Sequence, residues 1–463
     1  MNQMRVVFST FFRESKGGGG GRVSYEIAEA FARQGHETVL VRPGEKTRIE
    51  KVAPHFRYLE IKSLGEGDVS IPYLTVNNLK FLFNFLEKFR PQIIHGHDFG
   101  PIALVTQFWA INHHLPFLYT GHVLPTKFSE FSISELSEPV GRFYNTDLMK
   151  KYLFNFFKNC DAWVALNEDA QKDVLKYGFK EKIFIIPNGR DMKVYYRCRP
   201  AQLSERQKQL TFIGYLSQRK NQKYLLRVME CLPENFLLNL IGTPVNPEYF
   251  EDLKKYIEKK HLKNVNFMGE IPYQQIPQIL EKTHVLISAS KMEVQSLVII
   301  EALASGTPVV GLANGTVDEL IDKSTGCRLE KNTPPKIFSE HIQKICSLSQ
   351  EEYEVLCQNA REKVSHLDWS EIVKKTEIVY QKLIEDKKID DQIIRENKFK
   401  TLKEIIALMP SSKIKNFLKK QLQKPKLNFQ RKKNIFSFIF TVIGTSLVGF
   451  LYWLLKKTKR IHY

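Results

Sequence analysis

Two carboxylates eight positions apart, Glu293 and Glu301, lie in T-H-V-L-I-S-A-S-K-M-E-V-Q-S-L-V-I-I-E-A-L-A-S-G-T-P-V-V-G, residues 283 to 311. An acid pair suggests glycoside hydrolysis, and its spacing tests that idea. Eight helical residues separate two α-carbons by about 12 Å, whereas paired glycosidase carboxyls stand roughly 5 to 9.5 Å apart. The spacing suits another use, with one Glu at a reacting sugar and the other farther along a nucleotide, accepting hydrogen bonds from ribose hydroxyls. Backbone N–H groups of Ser296, Leu297 and Val298 would then face a diphosphate between them, at the positive end of a helix. The plain alternative is a helix with one exposed and one buried Glu.

These residues need a strand, a loop and a helix to hold them. Val285 to Ser288 is a short apolar run that predicts a buried parallel strand, and Ser296 to Ala304 has apolar residues at helical spacing. Ser305-Gly306 ends the helix before a second strand, Pro308 to Gly311. Glu293 falls at the C-terminal mouth of a strand, where α/β sheets place ligands. Glu, seven residues, Glu, followed by A-L-A-S-G-T-P-V-V, resembles the signature of glycosyltransferase family 4. Its members are retaining enzymes of the GT-B fold, in which two Rossmann-like domains face each other across a cleft and a sugar leaves a nucleotide donor.

The rest of the chain supplies matching pieces. Met4 to Thr10, the pattern Val23 to Gln34 and H-E-T-V-L-V predict a β-α-β unit, with glycines 17 to 21 in its first loop. Glycine lets a backbone approach phosphate closely; a flexible loop tip is the other reading. The resemblance puts a Gly-Gly pair opposite the donor diphosphate, and Gly20 and Gly21 occupy that place. Q-I-I-H-G-H-D-F-G ends a strand with His95 and His97, two histidines without an acidic or sulfur partner in the local sequence, a poor metal site. In L-Y-T-G-H-V the family pattern T-x-H puts His122 beside the transferred sugar, hydrogen bonding more readily than acting as a base.

I-P-N-G-R-D closes a first domain, expected over residues 1–195, and the polar, basic stretch Arg190 to Gln209 connects it to a second, 205–367. T-F-I-G-Y-L-S-Q-R-K resembles the family's G-R-L-x-x-x-K-G phosphate loop, with Lys220 as its lysine. Tyr215 stands where the family has Arg, and Tyr cannot offer a bidentate fork to phosphate; Arg219 could substitute. The resemblance places the base near Met268 to Ile271. Asn314 to Thr316 reads as an N-cap or a sugar contact. Asp368-Trp369-Ser370 opens a helix, 368–390, expected to cross back onto the first domain.

The chain has 463 residues, 43% hydrophobic, and a formal charge of +19 from 69 basic and 50 acidic residues. That charge implies a polyanionic partner. No nucleic-acid motif claims it, and an anionic membrane does. Ile435 to Leu455 is free of charge over 21 residues, about 30 Å as helix and enough for one span. It is preceded by a basic juxtamembrane segment, 391–434, and followed by a basic tail, 456–463. The aromatic, lysine-rich stretch Lys127 to Lys158 reads as a core helix with solvated lysines or as a membrane-facing acceptor helix with Arg142, Lys150 and Lys151 on lipid. Six scattered cysteines, Cys160, Cys198, Cys231, Cys327, Cys346 and Cys357, predict reduced thiols and no disulfide framework. No apolar signal region opens the sequence.

The expectation is a single-pass, C-terminally anchored enzyme with cytoplasmic catalytic domains. It is a retaining, metal-independent hexosyltransferase that needs no cofactor, takes a UDP- or GDP-hexose as donor, and uses a membrane lipid or lipid-linked glycan as acceptor. His122, Lys220 and Glu293 would act at the reaction centre. The donor would lie against Gly20, Gly21, Arg219, Lys220, Met268, Ile271, Glu293, Ser296, Leu297, Val298 and Glu301. Tyr215 keeps open a sugar-nucleotide-binding scaffold without turnover. A sugar-nucleotide epimerase on the same fold is a third reading.

Overall fold

A computed structural model describes residues 3–13, 18–64, 70–128, 130, 142 and 145–389. The expected span, its basic flanks and much of the aromatic stretch after Lys127 lie outside the described residues. Among the described residues no helix is long and apolar enough to cross a membrane.

Two sheets organise the chain. Eight strands of the first run in the order Arg48–Ala53, Phe56–Leu64, Glu37–Gly44, Arg5–Ser9, Ile93–Gly96, Phe117–Thr120, Ala162–Ala165 and Lys182–Ile185, with Ile71–Pro72 pairing beside Phe56–Leu64. Only Arg48–Ala53 and Ile71–Pro72 pair antiparallel. The second sheet is wholly parallel, in the order Val265–Gly269, Phe236–Ile241, Lys208–Ile213, Val285–Ser288, Val309–Leu312 and Gly326–Leu329. Central strands are fully buried, as parallel strands covered on both faces must be. In the first sheet the order reverses between Arg5–Ser9 and Ile93–Gly96. In the second it reverses between Lys208–Ile213 and Val285–Ser288. Loops leaving those pairs open the crevices in which such sheets bind ligands.

The segment around the Glu pair folds as its pattern predicts. Strand Val285–Ser288 leads to helix Leu297–Ser305, and every residue of that helix except Val298 is buried. Each such aliphatic side chain contributes about 1.5–3 kcal/mol, which outweighs the short length of the helix. Gly306 ends it in the left-handed region, φ 80°.

Two expectations change and one open alternative is decided. The glycine run was expected as a loop ahead of a helix from Val23, but the helix Gly18–Arg33 begins inside it. Glycine disfavours helix, yet side chains here would be crowded: a Cβ on Gly20 would sit 3.3 Å from the His122 Cβ and one on Gly21 3.0 Å from the Phe12 ring. The connector after Arg190 contains a helical turn, Met192–Tyr195, whose two end residues are buried. In the aromatic stretch, helix Asp147–Lys158 buries Met149, Leu153, Phe156 and Phe157 and exposes Lys150 and Lys151. That is the core-helix reading, with Leu148 and Phe154 left about half exposed.

Helix Trp369–Ile389 returns to the first lobe. Tyr380 Oη is 2.7 Å from His95 Nδ1, Trp369 Nε1 donates to Glu26 at 3.1 Å, and Lys387 reaches Asp161 at 2.5 Å. The two places where the backbone passes between lobes are bonded to each other: Arg190 N donates to Leu367 O at 2.8 Å and Trp369 N to Arg190 O at 3.0 Å. A Cβ on Gly189 would overlap the Trp369 indole.

Candidate active site

Glu293 sits in the loop after strand Val285–Ser288, part-buried between two cations. Lys220 Nζ donates to it at 2.6 Å, and Arg219 Nη1 is 3.3 Å away. Burial alone would raise its pKa, but the charges of Lys220 and Arg219 and hydrogen bonds from Lys220 and Ser290 hold it down to about 2. Glu293 is thus a fixed anion, able to accept hydrogen bonds and unable to donate a proton near neutrality. Lys220 is carried by the loop after strand Lys208–Ile213 and packs over Gly214, where a Cβ would lie 3.7 Å from its ammonium. Arg219 also donates to Met292 O at 2.7 Å, so it braces the Glu293 loop as well as its carboxylate.

Glu301 lies about one turn into helix Leu297–Ser305, 1% exposed and engaged by both lobes. Its Oε1 accepts from Arg190 Nε at 3.0 Å, from Arg22 Nη1 at 3.0 Å and from the Tyr273 hydroxyl at 3.1 Å. Arg190, completely buried, also donates to Glu26 at 2.8 Å and to Gly189 O at 2.7 Å. Arg22 stacks over the Tyr273 ring, 3.6 Å from its centroid. Tyr273 is further hydrogen-bonded to Tyr195. The sequence reading missed Arg22, Arg190 and Tyr273. Two of them had a signal: Arg22 directly follows the glycine run, and Arg190 is the charged residue of I-P-N-G-R-D.

The first turns of helices Gly18–Arg33 and Leu297–Ser305 meet across the cleft, where a Cβ on Gly19 would lie 3.4 Å from Leu297 Cδ1. Leu297 and Val298 open their helix with N–H groups that have no intrahelical acceptor. Ser296 differs from the expectation, because its N–H already donates to Thr316 Oγ1 at 2.7 Å. Asn314 caps helix Gly315–Leu320 by accepting from Thr316 and Val317, the N-cap reading.

His122 borders Gly20, and its Nε2 is 3.0 Å from His97 Nδ1. Burial lowers the His122 pKa to about 4, and burial with the His122 charge lowers His95 to about 3. Burial, followed by the charges of His95 and His122, pushes His97 well below its ordinary value. The rings are neutral near pH 7, so one of His97 and His122 donates an N–H to the other. His95 is committed on both nitrogens, to Tyr380 and to Thr120 at 2.7 Å each. Met268 is the penultimate residue of strand Val265–Gly269, 45% exposed. Ile271 lies two residues before Tyr273, so the loop expected to hold a base leads directly to Glu301.

Two lobe-crossing bonds fix the Glu293 loop from the other side: Asn167 Nδ2 donates to Val294 O at 2.7 Å, and Asn188 N to Gln295 Oε1 at 2.6 Å. A cavity of about 420 Å³ opens here, with Glu293, Asn314 and Asn167 in its wall.

Two family descriptions match the chain in tandem: Glycosyltransferase Family 4 over residues 17–194 and Glycosyl transferases group 1 over residues 199–363. The chain therefore carries the paired domains of a GT-B type glycosyltransferase. The alpha-monoglucosyldiacylglycerol synthase of Streptococcus pneumoniae is 23% identical over 278 residues, 56% of this chain and 62% of that relative's length. Among solved structures, sucrose-phosphate synthase from Thermosynechococcus elongatus superposes with a TM-score of 0.65 at 18% identity, over 83% of this chain and all of the other. Anabaena HepE in complex with UDP-glucose gives 0.63 at 15% identity, over 82% of this chain and all of the other. At those identities the superpositions show the two-domain fold.

Proposed function

We propose that the chain is a retaining hexosyltransferase that moves a sugar from a nucleotide donor to an acceptor hydroxyl of a membrane lipid or lipid-linked glycan. The observation that carries the reading is the meeting of two helix N-termini between Glu293 and Glu301, a cradle with a carboxylate at each end for a sugar diphosphate nucleotide. The donor base is placed toward Met268 and Ile271, its ribose at Glu301 once Arg22 and Tyr273 give way from that buried carboxylate, its diphosphate between Gly20, Gly21 and the Leu297–Val298 turn, and its sugar at Glu293 and His122. The acceptor oxygen bonds to the anomeric carbon as the carbon–oxygen bond to phosphate breaks. The acceptor's proton passes to the leaving phosphate oxygen on the same face. Lys220 and the helix N-terminus stabilise the charge that develops there, a role that preorganised donors fill well in a dry site.

The lowered pKa values of Glu293, about 2, and His122, about 4, support this route, since each is a weak proton acceptor near neutrality. Lys220 supplies positive charge at the diphosphate, so the reading calls for no metal and no cofactor. The anchor expected at residues 435–455 and the excess of basic residues favour a lipid acceptor and cytoplasmic catalytic domains. The neighbour bound to UDP-glucose supports trying a UDP-hexose first, and the relative named alpha-monoglucosyldiacylglycerol synthase supports a lipid acceptor.

Tyr215 in place of an arginine favours a second reading, a scaffold that binds donor without turnover. One experiment separates the two: membranes containing the full chain are incubated with labelled UDP- or GDP-hexoses and total lipid extract. Label entering the organic phase, lost in E293Q and E301Q, supports transfer. Donor binding with neither hydrolysis nor transfer supports the scaffold, and a changed sugar still attached to nucleotide would indicate an epimerase.

A further inference from the structure

The parallel order of the second sheet puts the groups at its strand ends in a row. Met268 comes first, then the Lys220 loop, Glu293, Asn314 and, past the last strand, Lys331. With a base at Met268 and a sugar at Glu293, the cavity of about 420 Å³ runs from Gln218 and Arg219 past the sugar to Lys331, on the side away from the base. Its opposite wall comes from loops of the first lobe that carry Lys127, Asn167 and Asp169. Space that starts at the sugar and is closed by the other lobe is where an acceptor enters.

The charges lining this space are unevenly matched. Glu293 is held by Lys220 and Arg219, Glu130 by Lys127 at 3.1 Å, and Asp169 by Lys172 at 3.8 Å. Lys291 and Lys331 line the same cavity, are exposed, and have no carboxylate at ion-pair distance among the described residues. Every carboxylate here has a cation, while two ammonium groups on one wall have none.

We propose that the cavity takes an acceptor bearing a phosphate group, held by Lys291 and Lys331, whose hydroxyl meets the anomeric carbon beside Glu293. The inference rests on the glycosyltransferase reading. The phosphate belongs to a lipid headgroup or to a soluble polyol phosphate; both present the same oxygens to ammonium donors.

The test compares the full chain with K291Q, K331Q and the double variant, using a UDP-hexose donor and two matched pairs of probes. One pair is glycerol 3-phosphate and glycerol, and the other is vesicles of phosphatidylinositol and of diacylglycerol. The phosphorylated member of one pair is expected to be the better acceptor, and which pair it is names the source of the phosphate. In the double variant its KM should rise roughly tenfold or more with kcat changed less than about twofold, the pattern of lost ground-state binding. Calorimetry with inorganic phosphate in the presence of UDP gives a readout independent of transfer, in which the wild type binds phosphate that the double variant does not. Equal use of phosphorylated and unphosphorylated probes, or phosphate binding unchanged in the double variant, overturns the proposal. A rise in donor KM alone does so too, because it assigns the lysines to the donor. If the wild type neither hydrolyses nor transfers, the enzymatic reading fails separately, and the phosphate titration still decides whether the lysines form an anion site.

Discussion

Replacing Arg190 with methionine probes the network that joins the lobes. Its guanidinium is wholly buried and serves Glu301 and Glu26 together, at 3.0 and 2.8 Å. Methionine fills similar space and leaves both carboxylates without that partner. Breaking a buried ion pair costs about 3–5 kcal/mol, and Glu301 keeps Arg22 and the Tyr273 hydroxyl, which places R190M near the lower end, about 3 kcal/mol. Urea unfolding should show this as a lower midpoint with an unchanged slope. The cycle of R190M, E301Q and the double variant should give a coupling of about 1–3 kcal/mol, because the double variant no longer strands a buried charge. R190K should recover part of the loss, since an ammonium reaches one carboxylate and lacks the fork that holds two. A loss below about 1 kcal/mol for R190M, or strictly additive single variants, would refute the argument that these charges hold the lobes together.

Three further outcomes follow from the site. K220M should lower kcat by about 10²–10³ with a smaller change in donor KM, as for the loss of one preorganised charge donor; a change confined to KM would show that Lys220 only binds. G20V, which drives a branched side chain at His122, should abolish transfer while G35A, whose Cβ meets nothing within 4 Å, leaves transfer intact and costs some stability through its positive φ of 91°; equal activity of both would remove the need for bare backbone at Gly20. His122 titrates at about 4 in the folded protein and near 6.5 unfolded, so the unfolded chain binds more protons between those values. Stability should therefore fall as pH drops from about 6.5 toward 4, with His95 extending the fall toward its own value of about 3; an unfolding midpoint that stays level over this range would contradict neutral buried rings.

Much of this was legible because it is local. Val285 to Ser288, the apolar spacing before Gly306 and the Asp368-Trp369-Ser370 start each announce an element within a few residues. The glycine run was misread for a physical reason, since propensity argues against helix while His122 and Phe12 of the same lobe crowd against Gly20 and Gly21. The Glu301 network was out of reach because its members lie 111 and 279 residues away in the chain, for Arg190 and Arg22. Periodicity reports which face of an element is buried and carries nothing about which distant cation will sit against it. The pairing of His97 with His122, 25 residues apart, belongs to the same class.

The hydrogen-bonded crossing of Arg190 with Leu367 and Trp369 has a mechanical consequence. Two separate linkers would let the lobes slide and twist, whereas two strands clipped together at one point act as a pivot. Glu301, bonded to Arg190 itself, rides beside that pivot and travels little when the halves swing apart. The Glu293 end is joined across the gap by Asn167 and Asn188, two hydrogen bonds that any parting of the lobes must break.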